Sequence, residues 1–306
     1  HRGGWGGGDP RCLTLDGGRR SSSTGFAHDR KAVSVNVRII PRLDIKGPNL
    51  VKGIHLEGLR VLGKPEHFAR FYYETGADEL IYQDAVASLY QRNSLVDIIE
   101  RTAREIFIPL CVGGGLRSVD DIRAVLRAGA DKVAINTAAV QRPELIREAS
   151  RAFGSSTIVV AIEAIRHPDG QYEAYVDYGR QRTGVDALAW AKQAEELGAG
   201  ELLVTSINQE GTGQGYDLEL TRRIAESVSI PVIACGGAGS VEDVYDVIVD
   251  GLADAVCLAS VLHYNFIQHQ AYEDAHFGEE GNVEFLRGRR GGLPGGPPHA
   301  PPPLCF

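Results

Sequence analysis

The chain has 306 residues, of which 43% are hydrophobic and 24% charged, a composition typical of a globular protein with enough apolar material for a core. Its net charge of −8 and its pI near 5.6 argue against nucleic acid or an anionic membrane as the main partner. No apolar run approaches the roughly 20 residues that span a bilayer, and the N-terminal region contains no secretory signal pattern. We therefore expect neither export nor membrane insertion.

The cysteines favour a reduced, cytoplasmic protein. Three of the five cysteines lie in apolar, strand-like runs, two lie near the chain ends, and no pair has the spacing of zinc ligands. Three histidines also lack companions at metal-ligand spacing and are expected to be surface or packing residues: His55, His67 and His263. The sequence therefore predicts no metal site and gives no indication of an organic cofactor.

The two ends differ in composition from the body of the chain. Residues 1–36 are rich in Gly, Ser and Arg without a periodic apolar pattern, which predicts a disordered extension. Residues 276–306 end in a Gly- and Pro-rich stretch and are predicted to form a flexible tail. Residues 37–275 are predicted to form one domain, and no function is assigned to either end.

Short β-branched segments alternate with longer amphipathic segments through this domain. Eight segments have the pattern of strands: VRIIPRLDI, ELIYQDA, IPLCVGG, KVAIN, TIVVAIEA, ELLVTSI, IPVIACGG and DAVCLAS. Between them, one predicted helix places Phe68, Phe71 and Tyr72 on one face, and another offers Ser118 as its N-cap. Strands separated by helices predict parallel βαβ units. The helices are expected to end near glycines with positive φ: Gly76, Gly129, Gly198 and Gly251.

The second half of the chain repeats the first. The segment IPLCVGGGLRSVDDI begins at Ile108 and matches IPVIACGGAGSVEDV, which begins 122 residues later at Ile230. TGADEL and LGAGEL show the same displacement, and GADKVAINTAAV matches LADAVCLASVLH after a slip of one residue. A half-chain repeat in four-strand units predicts an α/β fold of the (β/α)₈ TIM barrel type with two-fold internal symmetry. An open, doubly wound sheet is the alternative.

Glycine-rich turns follow matched strands in the two halves. Gly113–Gly115 follow the third predicted strand and Gly236–Gly237 the seventh, while Asn136–Ala138 and Ala259–Ser260 follow the fourth and eighth. Glycines let backbone N–H groups approach a phosphate, and a helix N-terminus favours negative charge. A lone Gly-Gly pair is more often a tight turn, but duplication favours two phosphate sites. A substrate with two phosphates would lie across the C-terminal mouth of the barrel.

Acidic residues at strand ends are candidates for acid and base. They are Asp44, Asp84, Glu163 and Glu210, and Asp44 and Glu163 occupy related places in the two halves. A helix N-cap or a loop salt bridge is the alternative for each, but Asp44 is favoured because it follows an apolar strand directly. Lys52 is close enough to Asp44 in sequence for a mobile loop to fold over the mouth as a lid. An exposed loop cation fits the same spacing.

In order and spacing, these residues resemble the cyclase (synthase) subunit of imidazole glycerol phosphate synthase over about residues 37–266. Matching stretches include RIIPRLDIK, LVKG, GADKVAINTAAV, FGSSTIVVAIEA and GAGELLVTSINQEGT. The resemblance implies a lyase of histidine biosynthesis. In that reaction, ammonia attacks the ribulosyl carbonyl of a bisphosphorylated formimino-carboxamide ribonucleotide. Elimination with ring closure then gives imidazole glycerol phosphate and an aminoimidazole carboxamide ribotide.

The same resemblance implies roles for individual residues. Asp44 would be the principal acid/base, Glu210 would stand at the second catalytic acid, and Lys52 would be the loop lysine. The substrate and its phosphates are expected to contact Lys52, Asp84, Gly114, Gly115, Asn136, Thr137, Glu163, Thr205, Gly211, Gly236, Gly237, Ala259 and Ser260.

The resemblance further implies a partner, a glutaminase (glutamine amidotransferase) subunit that docks on the N-terminal face as a heterodimer and supplies ammonia. Four charged residues at strand starts would form the gate of the ammonia channel: Arg38, Glu79, Lys132 and Glu201. Ordinary salt bridges between strand ends are the alternative, because that face usually serves stability. Asp131 matches an acid of the same interface.

Several residues depart from the family pattern. Glu210 and Glu163 each replace an Asp, Asn208 replaces an acid, and Arg42 replaces a small residue. The even spacing of Arg42 from Asp44 points its side chain into the barrel, where a carboxylate or a substrate anion is expected to pair with it. The departures leave two alternatives open: a paralogous ammonia-channelling subunit for sugar amidation, and a non-catalytic barrel that binds a glutaminase.

Overall fold

The structure is a computed structural model that describes residues 37–86 and 95–270. The predicted N-terminal extension (1–36) and C-terminal tail (276–306) lie outside these residues. Within the described ranges, none of the helices combines the length and the hydrophobicity that a membrane crossing requires.

Parallel strands and intervening helices form a closed barrel, which confirms the predicted (β/α)₈ fold. All strands but β2, β3, β8 and β9 pair in parallel with their neighbours around the barrel, and β12 pairs with β1 to close it. The strands are, in chain order, β1 (Arg38–Lys46), β2 (Asn49–Ile54), β3 (Glu57–Gly63), β4 (Leu80–Asp84), β5 (Leu110–Gly113), β6 (Lys132–Ile135), β7 (Ile158–Arg166), β8 (Tyr172–Val176), β9 (Gln181–Asp186), β10 (Glu201–Ser206), β11 (Val232–Cys235) and β12 (Ala255–Leu258).

Helices cover the outside of the barrel and bury apolar faces against the strands. Phe68 and Tyr72 on the first helix are buried and contact Phe266 on the last helix. This contact joins the beginning and the end of the helical layer. The helices are α1 (Pro65–Glu74), α2 (Val96–Thr102), α3 (Val119–Arg127), α4 (Thr137–Gln141), α5 (Glu144–Phe153), α6 (Ala187–Leu197), α7 (Leu218–Ala225), α8 (Val241–Val249) and α9 (Ser260–Gln270).

The internal repeat is visible in the local geometry of both halves. Ser118 caps α3, and Ser240 caps α8, each with an Asp at the third helical position in a reciprocal capping box. Of the glycines predicted to have positive φ, Gly251 does not, because the positive φ there belongs to the next residue, Leu252, at 59°. Leu252 matches Gly129 once the slip of one residue in the repeat is taken into account.

An antiparallel hairpin extends the mouth of the barrel in each half. The first hairpin (β2 and β3) pairs with β1, and the second (β8 and β9) pairs with β7. The first turn has two consecutive residues with positive φ, His55 and Leu56, and the second has three, Asp177, Tyr178 and Gly179. Hairpin turns of that kind usually contain Asn-Gly or Asp-Gly. Neither of these two turns contains that pair, and the hairpins were missed, although Asp169-Gly170 marks the antiparallel turn between β7 and β8.

The first hairpin changes the interpretation of Lys52. The residue lies in β2, with its side chain 1% exposed, and not in a mobile loop. The predicted lid is therefore wrong for the described structure, because backbone pairing with β1 and β3 holds this segment in a strand.

Alternate residues of the barrel strands point into its interior, as the period of two in a strand requires. On β1 these are Arg38, Ile40, Arg42 and Asp44, which place charge at both ends and apolar surface between them. The apolar interior is a cluster separate from the core beneath the helices: Ile40, Ile81, Cys111, Ala134, Val159, Ala161, Leu203, Ile233, Cys235, Ala255 and Cys257. The barrel therefore presents two polar ends joined by an apolar middle.

Candidate active site

Two carboxylates share a lysine at the C-terminal mouth of the barrel. Asp44 is fully buried at the end of β1, and Glu210 lies in the loop after β10. Lys52 reaches across from β2, with its Nζ 3.2 Å from Asp44 Oδ2 and in an ion pair with Glu210 Oε1. The structure thus brings together the three residues to which the resemblance assigns the chemistry.

Arg42 occupies the next inward position below Asp44. Its Nε donates to Asp44 Oδ1 at 2.8 Å, and its guanidinium lies 5.8 Å from the centre of the Tyr178 ring. The expectation that an inward Arg42 pairs with a carboxylate is confirmed. Asp44 therefore has one cation on each oxygen, Arg42 on Oδ1 and Lys52 on Oδ2.

This network favours the charged forms of Arg42, Asp44 and Lys52. Burial opposes ionisation of Asp44, but the charges of Arg42 and Lys52 outweigh it and lower the pKa of the carboxyl below its ordinary value. Burial likewise opposes the charge on Lys52, yet Glu210 and Asp44 raise the pKa of its ammonium group. The four side chains of the network form two cation–anion pairs whose charges balance, which is the condition for burying them together.

Glu163 occupies the position on β7 that Asp44 occupies on β1. Asp44 is in register with Gln83 on β4, and Glu163 is in register with Thr205 on β10. Gln83 and Thr205 are 122 residues apart, which is the displacement of the sequence repeat. Within the described ranges no cation contacts Glu163, which accepts instead from the Gly179 N–H at 2.8 Å and from Asn136 Nδ2 at 3.1 Å. Burial raises the pKa of its carboxyl to about 7. Near neutral pH, the side chain can hold or release a proton.

A cavity of about 280 Å³ opens beside Glu163. Gly114 and Gly115 of the first glycine turn line it, together with Asn136 and Thr137 at the start of α4. Asp84, Arg117, Asp177 and Tyr178 also line it, and the second hairpin contributes the last two. Five of the predicted contact residues thus meet in one cavity with Glu163: Asp84, Gly114, Gly115, Asn136 and Thr137. Asp177 and Tyr178 were missed because the hairpin was missed.

The second glycine turn lies on the far side of the ion-pair network. A Cβ at Gly236 would be 3.0 Å from Glu210 Oε2, which places this turn directly against Glu210. The Gly237 carbonyl accepts from the Gly215 N–H at 2.8 Å, so the loop after β10 lies over the turn.

The remaining predicted contact residues lie on β10, in the loop after it and at the start of α9. Thr205 is buried on β10, and its Oγ1 is 3.5 Å from an Arg42 nitrogen. Gly211 lies in the loop after β10 and approaches the backbone of Gly53. Ala259 and Ser260 are partly exposed at the start of α9.

Four charged side chains form a closed ring at the opposite end of the barrel. Arg38 contacts Glu79 at 2.7 Å and Glu201 at 3.0 Å, and Lys132 contacts each of the same two carboxylates at 3.0 Å. Cations and anions alternate, so each side chain has an opposite charge on both sides. The ring closes the N-terminal end of the apolar interior.

Comparison with known proteins identifies the family. The model of the family described as "Histidine biosynthesis protein" matches residues 38–268. This chain belongs to that family. The imidazole glycerol phosphate synthase subunit HisF of Legionella pneumophila is 59% identical over 208 residues, which are 68% of this chain and 98% of the relative. The HisF subunits of Alkaliphilus metalliredigens and Methanocaldococcus jannaschii are 48% and 51% identical, over 76% and 74% of this chain and 92% and 90% of the relatives.

In this histidine biosynthesis protein, Asp131 has a structural contact of its own. Its carboxylate accepts from the Leu110 N–H at 2.9 Å, and Asp254, its counterpart in the second half, accepts from the Val232 N–H at the same distance. Each Asp therefore ties the start of one strand to its neighbour. The interface role that the resemblance implies for Asp131 stays a prediction.

Gly114 offers a test of the first glycine turn. Its φ is +98°, and a Cβ there would be 2.6 Å from the Asp84 carbonyl oxygen. We expect Gly114→Ala to lower the free energy of unfolding by about 1–3 kcal/mol through backbone strain, and further through the clash with Asp84. Urea denaturation measures the loss.

Gly47→Ala is the matched control, because Gly47 has a φ of +59° and a Cβ added there would have no neighbouring atom within 4 Å. It carries the strain without the clash. Equal losses in the two variants would show that the first turn has room for a side chain and contradict the close approach.

Proposed function

We propose that this chain is the cyclase subunit of imidazole glycerol phosphate synthase, a lyase of histidine biosynthesis. The observation that carries the proposal is the similarity to HisF subunits over nearly their whole length, up to 98% of the relative. The substrate would be the bisphosphorylated ribulosyl-formimino ribonucleotide, which ammonia converts into imidazole glycerol phosphate and an aminoimidazole carboxamide ribotide.

Within this proposal, the carboxylates divide the proton transfers. Asp44 is ionised, so it can accept a proton but not donate one, and the two cations make it a weak base. Glu163 keeps a proton up to about pH 7 and is suited to donate one. Glu210 holds Lys52 beside Asp44 and stands at the position of the family's second catalytic acid. Backbone N–H groups of Gly114 and Gly115 would bind one phosphate of the substrate.

The partner belongs to the proposal as well. We infer that a glutaminase subunit docks on the N-terminal face and delivers ammonia into the apolar interior. Because the ring of Arg38, Glu79, Lys132 and Glu201 is closed by four ion pairs, at least one pair would have to open for ammonia to enter. The cytoplasmic location stays a prediction.

A second function has one specific observation in its favour. The Arg42–Asp44 ion pair occupies the mouth of the barrel, where the resemblance implies a small residue at position 42. A paralogous subunit that passes ammonia to a sugar amidotransferase does not need a free Asp44. A barrel without any catalytic role is the weaker alternative, because Glu163 keeps a pKa near neutrality beside an open cavity.

The test is turnover of the bisphosphorylated ribonucleotide by the purified chain in the presence of ammonium, followed by absorbance. We expect consumption of the substrate that depends on ammonium, with a reaction lacking ammonium as the control. Absence of turnover at saturating substrate and ammonium would refute the cyclase and favour ammonia delivery to another acceptor.

A further inference from the structure

Arg42 crosses the interior of the barrel from one wall to another. It projects from β1, and its terminal nitrogen Nη1 lies 3.5 Å from Thr205 Oγ1 and 3.6 Å from Cys235 Sγ. Those residues belong to β10 and β11, which lie three and two strands from β1 around the barrel. The guanidinium therefore sits at the centre of the cross-section, directly below Asp44.

This charge is out of reach of solvent. Arg42 is 2% exposed and Asp44 is fully buried, so their attraction is not screened as it would be at the surface. Among the described residues, the only carboxylate in contact with the guanidinium is Asp44, through a single bond of 2.8 Å from Nε. An uncompensated charge at this depth is costly, which ties the two side chains to each other.

The contact is not the arrangement that would give the most hydrogen bonds. A guanidinium commonly binds a carboxylate through two parallel bonds, but Asp44 Oδ2 is taken by Lys52 at 3.2 Å. Arg42 Nη2 is left as one of three buried side-chain atoms without a partner in the described ranges. Two cations from different strands thus fix both oxygens of one carboxylate, and with them the orientation of its plane.

The backbone of Arg42 is also held in place, by a hydrogen bond from α9. His263 on α9 donates from Nε2 to the Arg42 carbonyl at 3.0 Å, and its Nδ1 accepts from the Tyr72 hydroxyl at 2.7 Å. Burial lowers the pKa of His263 to about 3, so the ring is neutral and the chain of bonds has one direction. Helices α1 and α9 thereby anchor the residue that carries the guanidinium.

We propose that Arg42 is a positioning residue, which holds Asp44 as a carboxylate of fixed orientation and thereby restricts it to accepting protons. This inference deepens the proposed function, since it concerns the acid/base assigned to that reaction. Other charged or titratable groups around Asp44 come from every neighbouring element of the mouth: Lys52, Glu163, Tyr178, Glu210, Cys235 and His263.

The test is a pH titration of Asp44 in the full chain, followed by carbon-13 NMR with aspartate labelled at Cγ. The Asp44 resonance is assigned by its loss in Asp44→Asn. In the wild type we expect it to keep the carboxylate shift to below the ordinary midpoint of 3.8. Arg42→Leu removes the charge and keeps most of the volume, and we expect the midpoint to rise by about 1–3 pH units.

Two further variants separate charge from structure. Arg42→Lys keeps a cation and is expected to restore part of the low midpoint, whereas Arg42→Gln keeps a donor without the charge and is expected to behave like Arg42→Leu. If Arg42→Leu does not fold, Arg42→Gln carries the test. Arg70→Leu, an exposed arginine on α1, is the control and should leave the resonance unchanged.

An unchanged Asp44 midpoint in the folded Arg42→Leu or Arg42→Gln variant would overturn the proposal, because Lys52 alone would then hold the carboxylate. The titration needs no turnover. Failure of the wild-type ammonium assay would therefore refute the cyclase and leave the result for Arg42 standing.

Discussion

Asp44→Asn is expected to lower ammonium-dependent cyclase turnover by about 10²–10⁴-fold, the range associated with loss of a positioned acid or base. Asn has the shape of Asp but cannot take up a proton in the reaction. The measurement is kcat for the bisphosphorylated ribonucleotide at saturating ammonium. Because the effect is chemical, KM is expected to change much less than kcat.

The same substitution leaves the buried Arg42 without its anion. Breaking a buried ion pair from one side commonly costs about 3–5 kcal/mol, so urea denaturation must show that the variant is folded under assay conditions. Asp254→Asn is the matched control, since Asp254 bonds the Val232 N–H at the opposite end of the barrel. Turnover of Asp44→Asn within a few-fold of the control would show that Asp44 is not the acid/base.

In the wild type we expect turnover to fall above about pH 7. Glu163→Gln is expected to abolish this fall and to lower kcat at acidic pH by about 10²-fold or more. Burial raises the pKa of Glu163 to about 7, so the wild-type side chain can donate a proton below that pH and loses the ability above it. The measurement is kcat against pH with the concentration of free ammonia held constant.

Stability provides a second measurement for the same variant. The folded state keeps a proton on Glu163 up to about pH 7, whereas an unfolded glutamate loses it near 4.5. The folded state therefore binds more protons between these values, and the free energy of unfolding falls as pH rises through this window. Glu163→Gln should flatten that fall.

Glu173→Gln is the matched control for both measurements. Glu173 lies in the neighbouring hairpin, where Arg182 and His167 bond its carboxylate and lower its pKa. Its replacement should leave the alkaline fall in turnover in place. An alkaline fall that persists in Glu163→Gln would assign the titration to another group.

The barrel itself was predictable because short β-branched segments alternate with helical segments and the second half of the chain repeats the first. On β1 the inward positions Arg38, Ile40, Arg42 and Asp44 repeat every second residue, and the duplicated glycine turns mark matched strand ends. The hairpins were not predictable in the same way. The turns at His55–Leu56 and Asp177–Gly179 have positive φ without the Asn-Gly or Asp-Gly pair that usually marks such turns. The Asp169-Gly170 pair marks only the earlier turn, between β7 and β8.

Missing the hairpins had consequences for the site. Lys52 was expected in a mobile lid and lies in a strand, and Tyr178 was not expected at the mouth although its ring faces Arg42. Both errors have one origin, since a segment's backbone pairing depends on which strand it lies beside. For Lys52 that partner is close in sequence, since β2 pairs with β1 and β3.

The sequence by itself determined the barrel, its two-fold repeat, the inward direction of Arg42 and the matched positions of Asp44 and Glu163. Only the tertiary structure decided that the pKa of Asp44 is lowered and that of Glu163 is raised. The surroundings of each side chain make the difference. Arg42 on the same strand and Lys52 on β2 lower the pKa of Asp44, whereas burial raises that of Glu163, which no cation of the described residues contacts. Charge and desolvation act through space, so the order of residues along the chain does not reveal them.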